Sequence, residues 1–190
     1  RVNRELNSNA SFVTGDIFDY EDKNQYDLVI SLGVLHHTKD CKKAFYKVSK
    51  FVKPGGYFYV GLYHLYGRRP MLNMLQSHAR WHGNESAYNL FKLMNDDMQN
   101  QQHSYSWFRD QVLHPRETQH TIVEISDWLN DLGLNLISTS INRYKPIKNY
   151  SITKLETLEK ELEAYSYNKN VQDLKFNPGY FTICAKKSIS

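Results

Sequence analysis

Only two cysteines, Cys41 and Cys184, occur in the 190 residues. Two thiols so few and so far apart form neither a disulfide framework nor a zinc site, and they fit a reducing, cytoplasmic compartment. Proline and glycine are also sparse, at 5 and 9 residues, which argues against a fibrous or disordered chain. No apolar run approaches the roughly 18 residues that a membrane span needs, and no signal peptide is visible, so no membrane partner is expected. Charge of one sign is scarce as well. The net charge is +4, and the lysines are scattered instead of forming the basic stripe of a nucleic-acid binder. Repeats and low-complexity tracts are missing. So is an initial Met: the chain opens on Arg1 in the polar stretch RVNRELNSNA, and its start therefore reads as a cut.

What is present is an ordinary globular composition, 41% hydrophobic and 23% charged, in a chain long enough for one α/β domain. SFVTGD (11–16) reads as a short strand stopped by Gly15. In YDLVIS (26–31), Leu28, Val29 and Ile30 are consecutive, the pattern of a parallel strand buried on both faces. Asp40 is placed to cap a helix whose apolar positions Ala44, Phe45, Val48 and Phe51 recur at helical spacing, with KPGG (53–56) ending it. YFYVGLY (57–63) is the next strand, so residues 26–63 form a right-handed β-α-β unit with parallel strands.

Residues 64–120 change character. They hold all four methionines, Met71, Met74, Met94 and Met98, with Trp81 and Trp107, at helical periodicity and without strand signals. A helical insertion is predicted there, with its own core. Regular order resumes at Thr121, which stands at capping-box spacing from Glu124, in a helix through Trp128 and Leu132 that stops at Gly133. A strand over 134–144, a charged amphipathic helix over 153–165 and a closing strand over 179–187 complete the pattern. Three regions follow: 1–63, a partial cofactor-binding region; 64–120, a helical lid; and 121–190, which completes the sheet. Ligands of such sheets sit at the carboxyl ends of the strands. That edge gathers Asp16, the turn from Ser31 to His37, and Tyr63 with His64.

The stretches VTGDIFD, YDLVISLGVLHHTKD and FVKPGGYFYVGLYHLYGR, in that order, resemble the middle and later motifs of class I S-adenosylmethionine-dependent methyltransferases. HPRETQHTIVEISDWLNDLGL is similar to the segment after the fifth strand in an uncharacterised bacterial group of that family, and NPGYFTICAKK to its final strand. PGG alone is unspecific; three motifs in order at these spacings are not. The resemblance implies a Rossmann-like α/β sheet with an insertion after the fifth family strand. It implies S-adenosylmethionine as cofactor, and the length and apolar content of the inserted segment suggest a small or medium methyl acceptor.

By that resemblance Asp16 accepts a hydrogen bond from the adenine amino group, a donor that suits an acceptor-only carboxylate. Ile17 offers its backbone N–H to the ring, and Leu32 and Val34 pack against the cofactor's methionine portion. The family's first strand, its GxGxG turn and its ribose-binding acid have no counterpart here, since none of the nine glycines forms that motif. Two β-α units, on the order of 60 residues at ~30 each, are missing. The chain is therefore expected to be the C-terminal two-thirds of the enzyme, inactive alone, with an uncovered YDLVIS strand that invites self-association.

The remaining candidates come from the residues. His37 has the pKa range of a general base, although a polar strand-to-helix connection needs nothing more of His36 and His37. Tyr63, His64, Arg68, His114, Glu117 and His120 are candidate acceptor contacts. Arg68 and Arg69 have the forked donors that hold phosphate or carboxylate. All eight histidines lie between residues 36 and 120, which suggests a cluster over the site's mouth. HPRETQH spaces His114, Glu117 and His120 by three, but Pro115 and the helix start at Thr121 break a common helical face, so no metal is expected. Two other classes fit the same residues: a cofactor-free binding or scaffold relative, and an RNA-binding module built on the basic balance and 14 tyrosines.

Overall fold

Leu28, Val29 and Ile30 form the centre of β1 (Tyr26–Leu32), which pairs in parallel with β2 (Val52–Tyr63). The computed structural model describes residues 9–95, 101–147, 152–176 and 178–189. Between β1 and β2 the chain crosses through a 3-10 turn (Leu35–His37) and α1 (Cys41–Ser49). The Asp40 carboxylate caps α1 by accepting from the Lys43 N–H at 2.9 Å, and Ala44, Phe45 and Val48 are buried. KPGG lies inside β2. Tyr26 pairs with Val52 but Leu28 with Tyr57, so the extra residues bulge out of the strand, with Gly55 at positive φ.

The sheet has the order β1-β2-β4-β3, with β4 (Tyr180–Lys187) antiparallel to both β2 and β3 (Leu134–Thr139). One face carries Phe58, Val60, Leu62, Phe181, Ile183 and Ala185, all buried. They share a core with Phe45 of α1 and with Ile122, Ile125, Trp128 and Leu129 of α5 (Ile122–Asp131). Thr121 caps α5 as its spacing predicts, its hydroxyl accepting from the Glu124 N–H at 3.1 Å. A second core belongs to α2 (Leu65–His82), α3 (Asn84–Leu93) and α4 (Gln101–Val112), built on Met71, Leu75, Phe91, Met94 and Phe108. Met74 faces outward, and Met98 lies outside the described residues. The charged helix α6 (Ile152–Asp173) packs against α2 and α5 and is longer than 153–165. Among the described residues no helix is long and apolar enough to cross a membrane.

Besides KPGG and the length of α6, three expectations change. Residues 11–16 form no strand, and Phe12 and Val13 are largely exposed, because among the described residues no strand lies beside them to complete a ladder. β3 stops at Thr139, where the Thr139 hydroxyl accepts from the Ile141 N–H and the chain turns into a 3-10 segment, Ser140–Asn142. β1 is not buried on both faces. Leu28, Ile30 and Leu32 are each about half exposed, and β1 is an edge strand paired only with β2 among the described residues.

An apolar face beside an open edge is an association surface. The 190-residue chain alone is therefore expected to self-associate in sedimentation velocity. The Leu28→Lys, Ile30→Lys pair should return it toward monomer, and a concentration-independent monomer for the unaltered chain would contradict this.

Candidate functional site

The carboxyl ends of β1 and β2 are joined through Gly33, which turns at φ +74° and donates its N–H to the Gly61 carbonyl at 3.3 Å. On either side of it Leu32 and Val34 are about half exposed. The chain then enters the 3-10 turn, and both histidines meet the end of β2. The His36 ring lies 3.9 Å from that of Tyr63, centroid to centroid, and 4.3 Å from that of His37. His37 meets Tyr63 edge-on at 5.4 Å and stacks at 4.1 Å against His114, from the segment between α4 and α5. The two histidines of the turn after β1 thus form an aromatic wall with Tyr63 and His114.

Their protonation follows from their surroundings. His36 is fully buried, neither ring nitrogen has a partner among the described residues, and desolvation with repulsion from His37 and Arg68 pushes its pKa down to about 3. Burial, then His114, lowers that of His37. The Arg116 carbonyl, 3.3 Å from His37 Nδ1, requires the proton on that nitrogen. Neutral His37 thus keeps its lone pair on Nε2, the form a base needs. Tyr63 is buried and its hydroxyl accepts from Gln111 Nε2 at 2.8 Å, which leaves its own proton free to donate; burial raises its pKa.

Arg68 stands behind this wall. It is 1% exposed and grips Glu117 with both arms, Nε to Oε1 at 2.9 Å and Nη2 to Oε2 at 2.8 Å. Further bonds go to Gln111 Oε1 and the Gln111 carbonyl, and the guanidinium lies 3.7 Å over the Tyr63 ring and 4.3 Å over Phe176. Four of its five N–H donors are thereby committed within the protein. Arg68 and Glu117, expected as acceptor contacts, are thus buried and bonded to each other in this structure. Arg69, next to it, is exposed.

His64 and His120 are also engaged within the protein. His64 is fully buried; its Nδ1 accepts from the Gly67 N–H at the start of α2, which leaves Nε2 to donate to Glu159 of α6 at 3.2 Å. Glu159 in turn accepts from the N–H groups of Ile122 and Val123 at the start of α5. His120 sits 2.9 Å from both Glu124 and Thr118, against Trp128. Both histidines lock helices to the sheet. The eight histidines therefore do not form one cluster: His36, His37 and His114 do, while His78 and His82 pair on α2. Among the described residues no group of three His, Cys, Asp or Glu side chains is arranged to hold a metal.

A family model described as a methyltransferase domain matches residues 2–171. The chain belongs to this methyltransferase family. Its fold is also that of PKMT2 from Rickettsia typhi, with 15% identity and a TM-score of 0.57, the match covering 92% of this chain and 39% of that one. The same protein in complex with AdoHcy gives 15% identity and a TM-score of 0.56, covering 92% of this chain and 40% of that one. The chain thus spans about two fifths of the length of these relatives. A search among curated proteins gives no match.

In this methyltransferase domain Asp16 lies in an exposed turn. Its Oδ1 accepts from the Phe18 N–H at 2.9 Å and its carbonyl from Asp19 and Tyr20. Ile17 is partly buried and packs with Phe18 against the main core. Two site residues had escaped the sequence reading. Gln111 looked like any polar helix residue, yet it joins Tyr63 to Arg68. Tyr180 looked like a strand residue. Its ring crosses Gly61, where any side chain would collide with it, and reaches the wall 6.2 Å from Tyr63. The signal for Tyr180 was available: a glycine inside a strand marks a close approach.

Two outcomes are expected. Glu117→Leu leaves the buried guanidinium unpaired and should lower the unfolding free energy by about 3–5 kcal/mol in urea, whereas Arg68→Met with Glu117→Leu should lose less than the sum of the singles. His36 binds no proton until about pH 3 when folded but near pH 6.5 when unfolded. Stability is therefore full above pH 6.5 and falls as pH drops toward 3, by at most ~1.4 kcal/mol per pH unit from this group. His36→Phe should flatten the slope measured between pH 7 and 5.

Proposed function

We propose that this domain serves S-adenosylmethionine-dependent methyl transfer to a small or medium acceptor, at the carboxyl edge of β1 and β2. The single observation that carries the proposal is the junction at that edge in a member of this family. Half-exposed Leu32 and Val34 run directly into a wall of His37, His114 and Tyr63.

The residues present fit one side of the cofactor. Asp16 keeps an exposed carboxylate suited to the adenine amine, with the Ile17 backbone beside it, and Leu32 and Val34 offer apolar surface to the methionine portion. Among the described residues nothing lies within 4 Å of where a side chain would begin at Gly33, so the turn leaves room for a ligand. S-adenosylmethionine, when bound, supplies a methyl group already activated by its sulfonium. The protein's own residues then have to orient the acceptor and keep water away. Tyr63 has a hydroxyl proton to donate and His37 a lone pair on Nε2 to take one, while His114 and the neutral His36 exclude water without adding charge. His37 is the candidate base, at an acceptor that ionises on attack. Residues 64–120 act as the lid over this edge, and the first 63 residues carry part of the cofactor's seat.

The test is isothermal titration of S-adenosylmethionine into the full-length protein. Saturable binding is expected, weakened about tenfold or more by Asp16→Ala, the value of one hydrogen bond to a charged group. No binding by the full-length protein would overturn the proposal, and binding untouched by Asp16→Ala would remove Asp16 from it.

A further inference from the structure

A cavity of about 260 Å³ opens among α2, α3, α4 and the segment that follows α6. Its apolar walls are Met71, Leu75, Phe91, Met94, Trp107 and Phe176. The space is many times the roughly 30 Å³ that one water occupies in the liquid, and walls of this kind give water few partners. Cavities so lined stay dry or take apolar guests. Two thioethers and three aromatic rings also form an adaptable surface. The volume is at the small end of ligand pockets, roughly 300–1,000 Å³, which suits a single ring or a short aliphatic chain.

Charge narrows the guest further. Among the described residues Lys175 is the one cation that lines the cavity, and no acidic side chain does. Lys175 is exposed, so its ammonium belongs to the mouth, and among the described residues no carboxylate pairs with it. Asn95 at the cavity has its amide turned back onto the Phe91 carbonyl, 2.8 Å away. The opposite connection is to the wall described above. Gln111 lines the cavity and holds the Tyr63 hydroxyl at 2.8 Å, and Phe176 lies under the Arg68 guanidinium. A guest here is one side chain away from Tyr63.

We propose that this cavity binds a small amphipathic anion, with its apolar body among Met71, Leu75, Phe91 and Trp107 and its carboxylate or equivalent at Lys175. Assigning that guest as the methyl acceptor rests on the methyl-transfer reading, but the binding itself does not. The test titrates octanoate, with octan-1-ol as its uncharged counterpart, into the full-length protein without S-adenosylmethionine. It reads calorimetric heat and tryptophan emission, Trp107's share being the part that Trp107→Ala removes while Trp81 and Trp128 remain.

Octanoate is expected to saturate and to change the Trp107 emission. Lys175→Ala should weaken octanoate about two- to fivefold and leave octan-1-ol unchanged, the difference of one exposed ion pair. Leu75→Trp fills the cavity and should weaken both probes about tenfold or more, its fold checked by circular dichroism. Trp107→Ala, at a partly exposed position, should weaken both without threatening the fold. No saturable binding of octanoate, or affinities unchanged by Lys175→Ala and Trp107→Ala together, would overturn the proposal. Octanoate binding with these variant effects supports it whether or not S-adenosylmethionine binds in its own titration, so the two proposals fail separately.

Discussion

The buried pair of Arg68 and Glu117 is the constraint on which the edge of this sheet depends. Moving two charges out of water costs several kcal/mol per ion, and their attraction offsets that only with near-ideal geometry and every donor used. Here the geometry is close to ideal: a two-armed bridge at 2.8 and 2.9 Å, two more bonds to Gln111, and aromatic rings in van der Waals range of the guanidinium. Because the arrangement tolerates few alternatives, it fixes four segments at once. These are the first turn of α2, the end of α4, the stretch before α5, and Phe176 after α6. The orientation of the Tyr63 ring follows from it.

Apart from the Arg68–Glu117 pair behind that ring, the wall at the sheet edge is made of neutral polar rings. His36 stays neutral far below physiological pH, and His37 is held toward the neutral form by burial and by His114. Burial also pushes Tyr180 up to about 12, so its phenol keeps its proton. An edge of neutral imidazoles and phenols can donate and accept hydrogen bonds without a strong field of its own. In the methyl-transfer reading this suits a reaction whose driving charge arrives on the cofactor, and the acceptor rather than the protein then decides whether a base is needed.

Much of the fold was legible because its signals are local. Consecutive Leu28, Val29 and Ile30, the Asp40 cap, the Thr121–Glu124 spacing and the methionine-rich helical stretch each specify structure within a few residues. The misjudged elements were decided by distant partners. Residues 11–16 have a strand's composition and no neighbour; KPGG has a stop signal's composition and a ladder running past it. The site divides along the same line. His37, Tyr63 and His114 could be singled out from the sequence, and the structure brings them together. The separate duties of His64, with Glu159 of α6, and of Arg68, with Glu117, depend on side chains 95 and 49 positions away, and no spacing rule reports such pairs.

The position of β4 has a consequence for how the chain reaches this state. β4 follows α6 in sequence yet lies between β2 and β3, so those two strands never touch, and neither has its full set of ladder bonds until residues 180–187 thread between them. Tyr180, which completes the aromatic wall over Gly61, arrives with that same strand. Loop-closure entropy must be overcome before this non-local pairing returns any stabilisation, which makes such sheets slow to form. During synthesis the helices of the insertion can assemble their own core early, while the sheet and the wall at its edge wait for β4. The aromatic wall is complete only where β4 lies in place between β2 and β3.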